Sequence, residues 1–442
     1  MLKTFAIGGI HPSDNKLAAN QPIEYLPLPQ QVVVMMSQHI GAPAVSLVEP
    51  GDKVLVGQLI GEGKAFMSAN IHSPVSGVVT KVDMCRDIAG MPKPAVYINV
   101  EGDEWLSTID RSPEIKYECN LDPSQVFDKI KEMGIVGLGG ATFPTHIKYA
   151  ANDDRNIDYL IVNGVECEPY LTADSRLLVE HATEICIAID IVRQARGIAH
   201  AAIGIEANKP EAIALMTQVA GRFESLEVVP LKMKYPQGAE KQLIYAITHR
   251  RVPSGKLPID VGCIISNAGT MFAIYEALQK NKPLFERVVT VTGKGVKTQH
   301  NYKVRVGTSI KSLVEFSIGE IPGSVGKIIS GGPMMGKAIF NLDAPTTKGM
   351  GGVLIMNESE SVRQEETTCI RCGKCLNACP MGLEPYLFSA LVRHERYAEA
   401  RQRNILDCIE CGSCAYSCPA HKPLTSEIRL GKAKVRAMMP KK

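Results

Sequence analysis

"NIDYLIVNGVE" (156–166), "DSRLLVEHATEICIAIDIVRQA" (174–195) and "HAAIGIEAN" (200–208) follow one another in mid-chain, and their order decides the fold. The first and third are apolar runs of strand length. The second carries apolar residues at helical spacing throughout, which predicts one long amphipathic helix. Strand, helix, strand in that order implies a parallel, doubly wound sheet. Just upstream, "PSQVFDKIKEMGI" (123–135) is also helical in period.

On the N-terminal side the pattern changes. Residues 1–110 are rich in Val, Gly and Pro, with alternating runs such as "DKVLVGQLIGEG" (52–63) and "SGVVTKVD" (76–83), which read as short strands of a sandwich or barrel. On the C-terminal side, "RVVTVTG" (287–293) and "GKIISGGP" (326–333) are short strands with the helix "IKSLVEFSI" (310–318) between them, a small α+β module. "KGMGGVLIMNESES" (348–361) reads as a linker into a cysteine-rich end. The expected units are 1–110, 111–283, 284–346 and 347–442, the last counting linker and cysteine region together.

A chain of 442 residues is expected to hold several cores, since a single core rarely grows past roughly 250 residues. Charged residues are 21% and the net charge is +3, so nucleic acid finds no electrostatic footprint. No run of 18 apolar residues and no basic-then-apolar leader occurs, which predicts neither a spanning helix nor secretion. In such a chain thirteen cysteines are unexpected as disulfides, and eight lie between 369 and 418.

Those eight form C369-I-R-C372-G-K-C375-L-N-A-C379-P and C408-I-E-C411-G-S-C414-A-Y-S-C418-P, each C-x2-C-x2-C-x3-C-P. Three thiolates so spaced wrap one [4Fe-4S] cubane, and the fourth ligates the other cluster. The expected sets are Cys369, Cys372, Cys375 and Cys418 for the first cluster, and Cys408, Cys411, Cys414 and Cys379 for the second. Four-cysteine zinc sites, the competing assignment, come as two separated pairs rather than a triplet with a trailing cysteine. "EPYLFSALVRHERYAEARQRN" (384–404) between the motifs is helical in period, so this ferredoxin-type module is expected to be mostly helical. Cys85, Cys119, Cys167, Cys186 and Cys263 lack ligand spacing and read as small buried hydrophobes.

Two such clusters move electrons singly and need a converter to two-electron chemistry, for which a flavin is suited. "GIVGLGGATFPTHIK" (134–148) offers a cradle for its phosphate: Gly137, Gly139 and Gly140 let the backbone approach closely, and Lys148 is a nearby cation. The loop does not fit the G-x-G-x-x-G dinucleotide fingerprint, and a plain glycine turn is the bland alternative.

"GLGGATFPTHIK" resembles the FMN loop of the flavoprotein subunit of respiratory NADH dehydrogenase. "NGVECEP" (163–169), "YPQGAEKQ" (235–242) and "SNAGT" (266–270) are similar to that family's other flavin segments. The resemblance implies that Gly137, Gly139, Gly140, Lys148, Asn163, Glu166, Tyr235, Glu240 and Asn267 line the flavin, with Phe143 and Glu168 facing the nicotinamide nucleotide. Leu138 stands where that family has an arginine, and Val165 where it has an aspartate.

With "FAIGGIHPSDNK" (5–16), "QHIGAPA" (38–44) and the doubled cluster motif added, almost the whole chain resembles the RnfC family of the Rnf electron-transport complex. That resemblance implies a multidomain α/β plus β fold: a barrel-sandwich module, a Rossmann-like flavin domain, a small β-grasp (SLBB-like) module and the two-cluster module. It also implies noncovalent FMN, two [4Fe-4S] clusters and NAD(H) as substrate. The expected place is peripheral, on the cytoplasmic face of a bacterial inner membrane, beside membrane and iron-sulfur subunits that move Na+ or H+, with ferredoxin engaged indirectly. Two other readings compete: a soluble flavin and iron-sulfur reductase of the cobalamin-reductase type, and a non-enzymatic iron-sulfur relay.

"EPGDKVLVGQLIGEGKAFMSANIHSPVSGVVTKV" (49–82) is similar to biotinyl and lipoyl carrier domains, but the hairpin tip near Met67 and Ser68 lacks their lysine, Lys64 lying upstream. A structural use of the barrel is therefore expected. His39 and His72 lack a second ligand at metal spacing and read as hydrogen-bonded packing residues. From His421 to Lys442 there are seven Lys or Arg and one Glu, either a solvated or disordered tail or a patch attracted to anionic headgroups or an acidic redox partner.

Overall fold

The computed structural model describes residues 2–149, 156–321 and 323–439. Tyr159–Asn163 lies inside a four-stranded, all-parallel sheet, ordered Leu226–Leu231, His200–Glu206, Tyr159–Asn163, Cys263–Asn267. Its apolar run is explained by cover on both faces. Leu160 and Val162 pack in one core with Ile130, Ile185, Ile189 and Met271, while Ile161 packs in the other with Leu243, Ile244 and Ile247.

The single long helix expected over 174–195 is two, Ala173–Glu180 and Ala182–Arg196. His181 leaves helical geometry at φ −130°, with its ring stacked on Phe272 at 4.1 Å and Nδ1 2.8 Å from Glu184 Oε1. Apolar period cannot reveal this break, because both pieces bury their faces in one core.

The strand order reverses between Tyr159–Asn163 and Cys263–Asn267, and these neighbours end in register at Asn163 and Asn267. The crevice beyond the carboxyl ends of strands at such a reversal is where open α/β sheets bind ligands.

Toward the N-terminus, Gln31–Met35, Pro92–Val100, Gly77–Arg86 and Lys53–Val54 form one antiparallel sheet, and Val45–Ser46, Leu59–Glu62 and Ile71–His72 a second. Val32, Val34, Met36, Ile60, Ile71, Val79 and Ile98 fill the core between them. The hairpin tip packs inward, Ser68 Oγ donating to the Ala42 carbonyl at 2.9 Å. His39 is hydrogen-bonded as expected, Nε2 accepting from the Ala69 N–H at 3.2 Å, whereas the buried His72 leaves Nδ1 without a partner among the described residues.

The small module is larger than 284–346. Its six-stranded sheet runs Ile23–Tyr25, His300–Arg305, Glu286–Thr292, Gly352–Asn357, Val325–Ser330, Lys337–Ala338. The linker expectation for 348–361 is therefore corrected: Gly352–Asn357 is an interior strand with Val353, Leu354 and Ile355 fully buried. The glycines before it serve as a turn, and the apolar run after them is what a doubly covered strand requires.

The cysteine region is mostly helical, as expected. Lys374–Ala378 and Ser413–Tyr416 repeat each other, each preceded by a left-handed glycine, Gly373 and Gly412, and Pro385–Arg393 and Tyr397–Gln402 join them. The disordered-tail expectation fails over 424–437, while Lys441 and Lys442 lie outside the described residues. Leu424–Ala437 is a helix burying Leu424, Ile428 and Val435 against Phe388, Leu391 and Val392.

Candidate functional site

The glycine loop is closed at its neck by Gly137 N–H donating to the Phe143 carbonyl at 2.8 Å. Gly139, Gly140 and Ala141 form its exposed tip, Gly140 at φ +106° with open space where a side chain would stand. A Cβ on Gly139 would meet Asn267, the N-cap of the helix Ala268–Gln279, whose Oδ1 accepts from Thr270 N–H at 3.3 Å. Bare backbone and a helix N-terminus thus face one space, the arrangement that receives a phosphate. Phe143 is half-buried at the neck.

The loop's floor is charged and buried. Arg287, 4% exposed, donates from Nη2 to the Leu138 carbonyl at 2.8 Å and from Nε to the Met350 carbonyl at 3.2 Å. Leu138 N–H is held by Thr270 Oγ1 at 2.9 Å, and its side chain lies in the core. Asp174 Oδ2 accepts from Asn267 Nδ2 at 2.6 Å, and Oδ1 has no partner among the described residues. Burial and the charge of Glu166 push the Asp174 carboxyl up, against the pull of Arg287.

Sequence reasoning missed Arg287, Asp174 and Thr270. The signal for Arg287 was available, an arginine opening the strand-forming run "RVVTVTG". It brings a guanidinium beneath the loop from a different strand, although Leu138 replaces the loop's own arginine.

The remaining expected flavin residues gather around the strand ends. Asn163 Nδ2 donates to the Gly238 carbonyl at 2.8 Å, tying its strand to the 235–242 segment. Lys148 Nζ reaches the Ile265 carbonyl at 2.8 Å and lies 4.0 Å from Glu240 Oε1, with burial pushing its pKa down.

Three residues carry other bonds. The Glu166 carboxylate accepts from Asp174 and Ser175 N–H at 2.9 and 3.1 Å, holding the start of the helix Ala173–Glu180. The Glu168 carboxylate accepts from Met334 and Met335 N–H at 3.1 and 2.7 Å, in a turn of the small module. Tyr235, 2% exposed, donates its hydroxyl to the Cys411 carbonyl at 2.8 Å. Lys16, from the N-terminal segment and also missed, gathers the carbonyls of Glu166, Glu168 and Leu171 at 2.6 to 2.9 Å.

Cys379, Cys408, Cys411 and Cys414 line one cavity with Phe388 and Ile428, so the trailing cysteine of the first motif joins the triplet of the second. Cys375 and Cys418 pack against the same core, burial and then the charge of Cys418 raising the cost of ionising Cys375, while Cys369 and Cys372 are exposed. All-thiolate donor sets in this doubled spacing suit iron-sulfur clusters. The other five cysteines are buried or half-buried, Cys167 accepting the Gly238 N–H at 3.4 Å.

An exposed glycine tip over a helix N-terminus, at a sheet's reversal point and joined to paired thiolate sites, defines a flavin and iron-sulfur protein of the electron-transfer class. Comparison with known families agrees: residues 130–276 match the Nuo51 FMN-binding domain, 4–103 the RnfC barrel sandwich hybrid domain, and 361–419 a 4Fe-4S dicluster domain.

The chain belongs to the RnfC family, the C subunits of ion-translocating oxidoreductase complexes. It is 46% identical to the C subunit of the proton-translocating ferredoxin:NAD(+) oxidoreductase complex of Clostridium ljungdahlii, over 99% of this chain and 95% of that one. It is 41% identical to the Na(+)-translocating counterpart of Acetobacterium woodii over 98% of both. The corresponding C subunit of the ion-translocating oxidoreductase complex of Rhodobacter capsulatus is 38% identical over 98% of this chain and 84% of its own. In fold alone, an NAD+-reducing [NiFe]-hydrogenase chain in the air-oxidized state is similar, with TM-score 0.51 and 16% identity over 73% of this chain and 68% of that one.

Proposed function

We propose that this chain is the NAD(H)-linked electron-transfer subunit of a membrane ferredoxin:NAD+ oxidoreductase complex, peripheral on the cytoplasmic face. Partner subunits would couple the electron flow to Na+ or H+ movement. No described helix is long and apolar enough to cross a membrane, in keeping with attachment through partners. FMN, when bound, interconverts hydride and single electrons.

The chain's own residues position and insulate. Gly137, Gly139 and Gly140, with the N-terminus of Ala268–Gln279, would receive the phosphate; Lys148, Asn163, Glu166, Tyr235, Glu240 and Asn267 would frame the flavin. Phe143 and Glu168 would face the nicotinamide nucleotide. Hydride transfer requires no general acid or base, so no histidine is assigned. Cys369, Cys372, Cys375 and Cys418 would hold one cluster, and Cys408, Cys411, Cys414 and Cys379 the other. The units would be a biotinyl/lipoyl-like barrel over 1–110, a Rossmann-like FMN and NADH domain over 111–283, a β-grasp (SLBB-like) module carried to 357, and the two-cluster module beyond it.

The observation that carries this reading is the Gly139–Ala141 tip standing over the helix N-terminus with the Arg287 guanidinium beneath it. The chain, isolated anaerobically with FMN, should show stoichiometric flavin bleached by NADH and iron for two clusters. Iron-sulfur absorption without flavin binding would leave only a relay. With its membrane partners restored, ferredoxin-dependent NAD+ reduction is expected.

A further inference from the structure

The segment "QHIGAPA" (38–44) belongs to the barrel, yet its backbone reaches the glycine loop: Ile40 N–H donates to the Thr142 carbonyl at 3.2 Å. Thr142 stands between the exposed tip and Phe143. It sits at φ +50°, a left-handed conformation that a branched Cβ resists. A residue persists in such a state where its surroundings over-determine it, and such positions cluster at functional sites.

Here the surroundings come from two other units. On the barrel side, Gly41 lies where a Cβ would collide with the Met67 carbonyl, and Ala42 N–H donates to that same carbonyl at 2.9 Å. Ala69, two residues on, packs in the flavin domain's core, so the Ile40 loop and the hairpin tip are fixed to each other and to that domain. On the small-module side, a Cβ on Gly349 would stand 2.5 Å from the Thr142 methyl, Cγ2. The backbone of Gly349 is not left-handed, so it is space beside Thr142 that calls for a glycine there. Lys348 N–H donates to Gln38 Oε1 at 3.0 Å, joining this turn to the barrel loop, and Lys348 Nζ to the Gly134 carbonyl at 2.8 Å, joining it to the start of the glycine loop.

The two legs of the tip are thus held differently. Leu138, on the entering leg, is fixed by Thr270 and Arg287. Thr142, on the leaving leg, is fixed by Ile40 and Gly349, and the next residue is Phe143, whose carbonyl closes the neck on Gly137 N–H.

We propose that Thr142 is a positioning residue for the nicotinamide nucleotide: clamped between the barrel loop and the small module's turn, its left-handed backbone sets the direction in which the chain leaves the tip, and with it the placement of Phe143. The barrel, without a carrier lysine, serves here as one jaw of that clamp. The assignment rests on the reading that this loop cradles FMN and that Phe143 faces the nucleotide.

The test uses the full chain with FMN and both clusters, and follows flavin bleaching by NADH and, separately, by dithionite, which needs no docking site. Thr142→Gly accepts the same backbone without steric cost but gives up the methyl contact and frees the leg. It should fold at least as stably as the unaltered chain and keep its flavin, while the NADH concentration for half-maximal bleaching rate rises by about tenfold and the dithionite rate stays the same. A residue that only held the fold would give the reverse, stability lost and half-saturation kept. Gly349→Ala presses on the methyl directly and should slow bleaching by NADH by up to about a hundredfold, the effect of a displacement of about an ångström. Thr142→Ser removes that methyl, so adding it to Gly349→Ala should restore the rate of Thr142→Ser alone. An unaltered NADH half-saturation in Thr142→Gly would overturn the proposal, as would a Gly349→Ala chain equally slow with and without Thr142→Ser. Should Gly349→Ala fail to fold, Thr142→Gly decides by itself. A flavin that NADH fails to bleach in the unaltered chain would instead remove the flavin reading, and this role with it.

Discussion

Arg287 and Lys348 are cations buried against the same loop, and they differ in what balances them. Arg287 faces Asp174 and Glu166 and holds the Leu138 carbonyl, so Arg287→Met strands two acidic groups and frees the loop's floor. Breaking a buried pair in this way costs about 3–5 kcal/mol. Both the thermal midpoint and FMN affinity should fall in a titration, with Arg287→Lys recovering only part because it loses the fork. Among the described residues Lys348 meets no carboxylate; its Nζ donates to the Asn70 and Gly134 carbonyls, both at 2.8 Å, and His72 and His39 feel its charge. Burial lowers its pKa to about 7. The folded value lies below the unfolded one, so between them the folded state binds fewer protons and stability rises with pH, from about 7 toward about 10.4. Lys348→Met should lose that rise and cost about 1–3 kcal/mol for two unpaired carbonyls. Urea melts at pH 7 and pH 9 giving the same wild-type-to-variant gap would contradict this.

Among the elements, the closing helix Leu424–Ala437 turns a run of basic residues into a structural part. Lys432, 6% exposed in its side chain, donates to the Cys408 carbonyl at 2.5 Å and meets Glu410 Oε1 at 2.6 Å, while Arg429 takes the other oxygen at 3.1 Å. Lys432→Met should therefore weaken the second cysteine site by about 1–3 kcal/mol, and iron should leave it faster under chelator challenge than it leaves the unaltered chain. An equal rate of iron loss would return these residues to the role of a surface patch. The difference between what was legible and what was not has a physical basis here. Cysteine spacing and the strand–helix–strand order are local patterns, and they gave the paired sites and the parallel sheet. The helix at 424–437 shows only three well-spaced apolar residues, and the strand at 352–357 hides behind glycines, so each is recognised only against the surface it covers. The same holds for Glu166 and Glu168, which share a legible motif with Asn163 but whose carboxylates are engaged by backbone N–H groups that no local pattern locates.

At the scale of the molecule, one ionic knot joins three units. Glu286, on the small module's sheet, meets Lys282 Nζ at 2.5 Å, Arg305 Nε at 3.2 Å and Lys303 Nζ at 3.5 Å. Glu276, from the flavin domain's helix Ala268–Gln279, shares Lys282 and Lys303 at 2.7 and 3.3 Å. Arg305 reaches the barrel, at the Pro74 carbonyl and Asp103 Oδ1, 2.8 and 3.1 Å away, beside Trp105 packed edge-on to Phe285 at 5.4 Å. The three cations outnumber the two buried carboxylates. Burial alone would raise the Glu286 pKa, but Lys282, Lys303 and Arg305 outweigh it and hold the carboxyl well below the ordinary range. A depressed folded pKa means stability that is whole above the unfolded value near 4.3 and is lost as pH falls through the folded one. Glu286→Gln keeps the shape and removes the charge, leaving Lys282 and Lys303 to share Glu276 and Arg305 with only the more exposed Asp103, so it should lose up to about 3–5 kcal/mol at pH 7. Its deficit should shrink in melts below about pH 4, where the unaltered chain begins to forfeit the same term. Because the knot ties barrel, flavin domain and small module together, the variant should also expose their junctions to protease together. A deficit unchanged by acid, or cleavage at one junction alone, would show that the three units do not depend on this carboxylate.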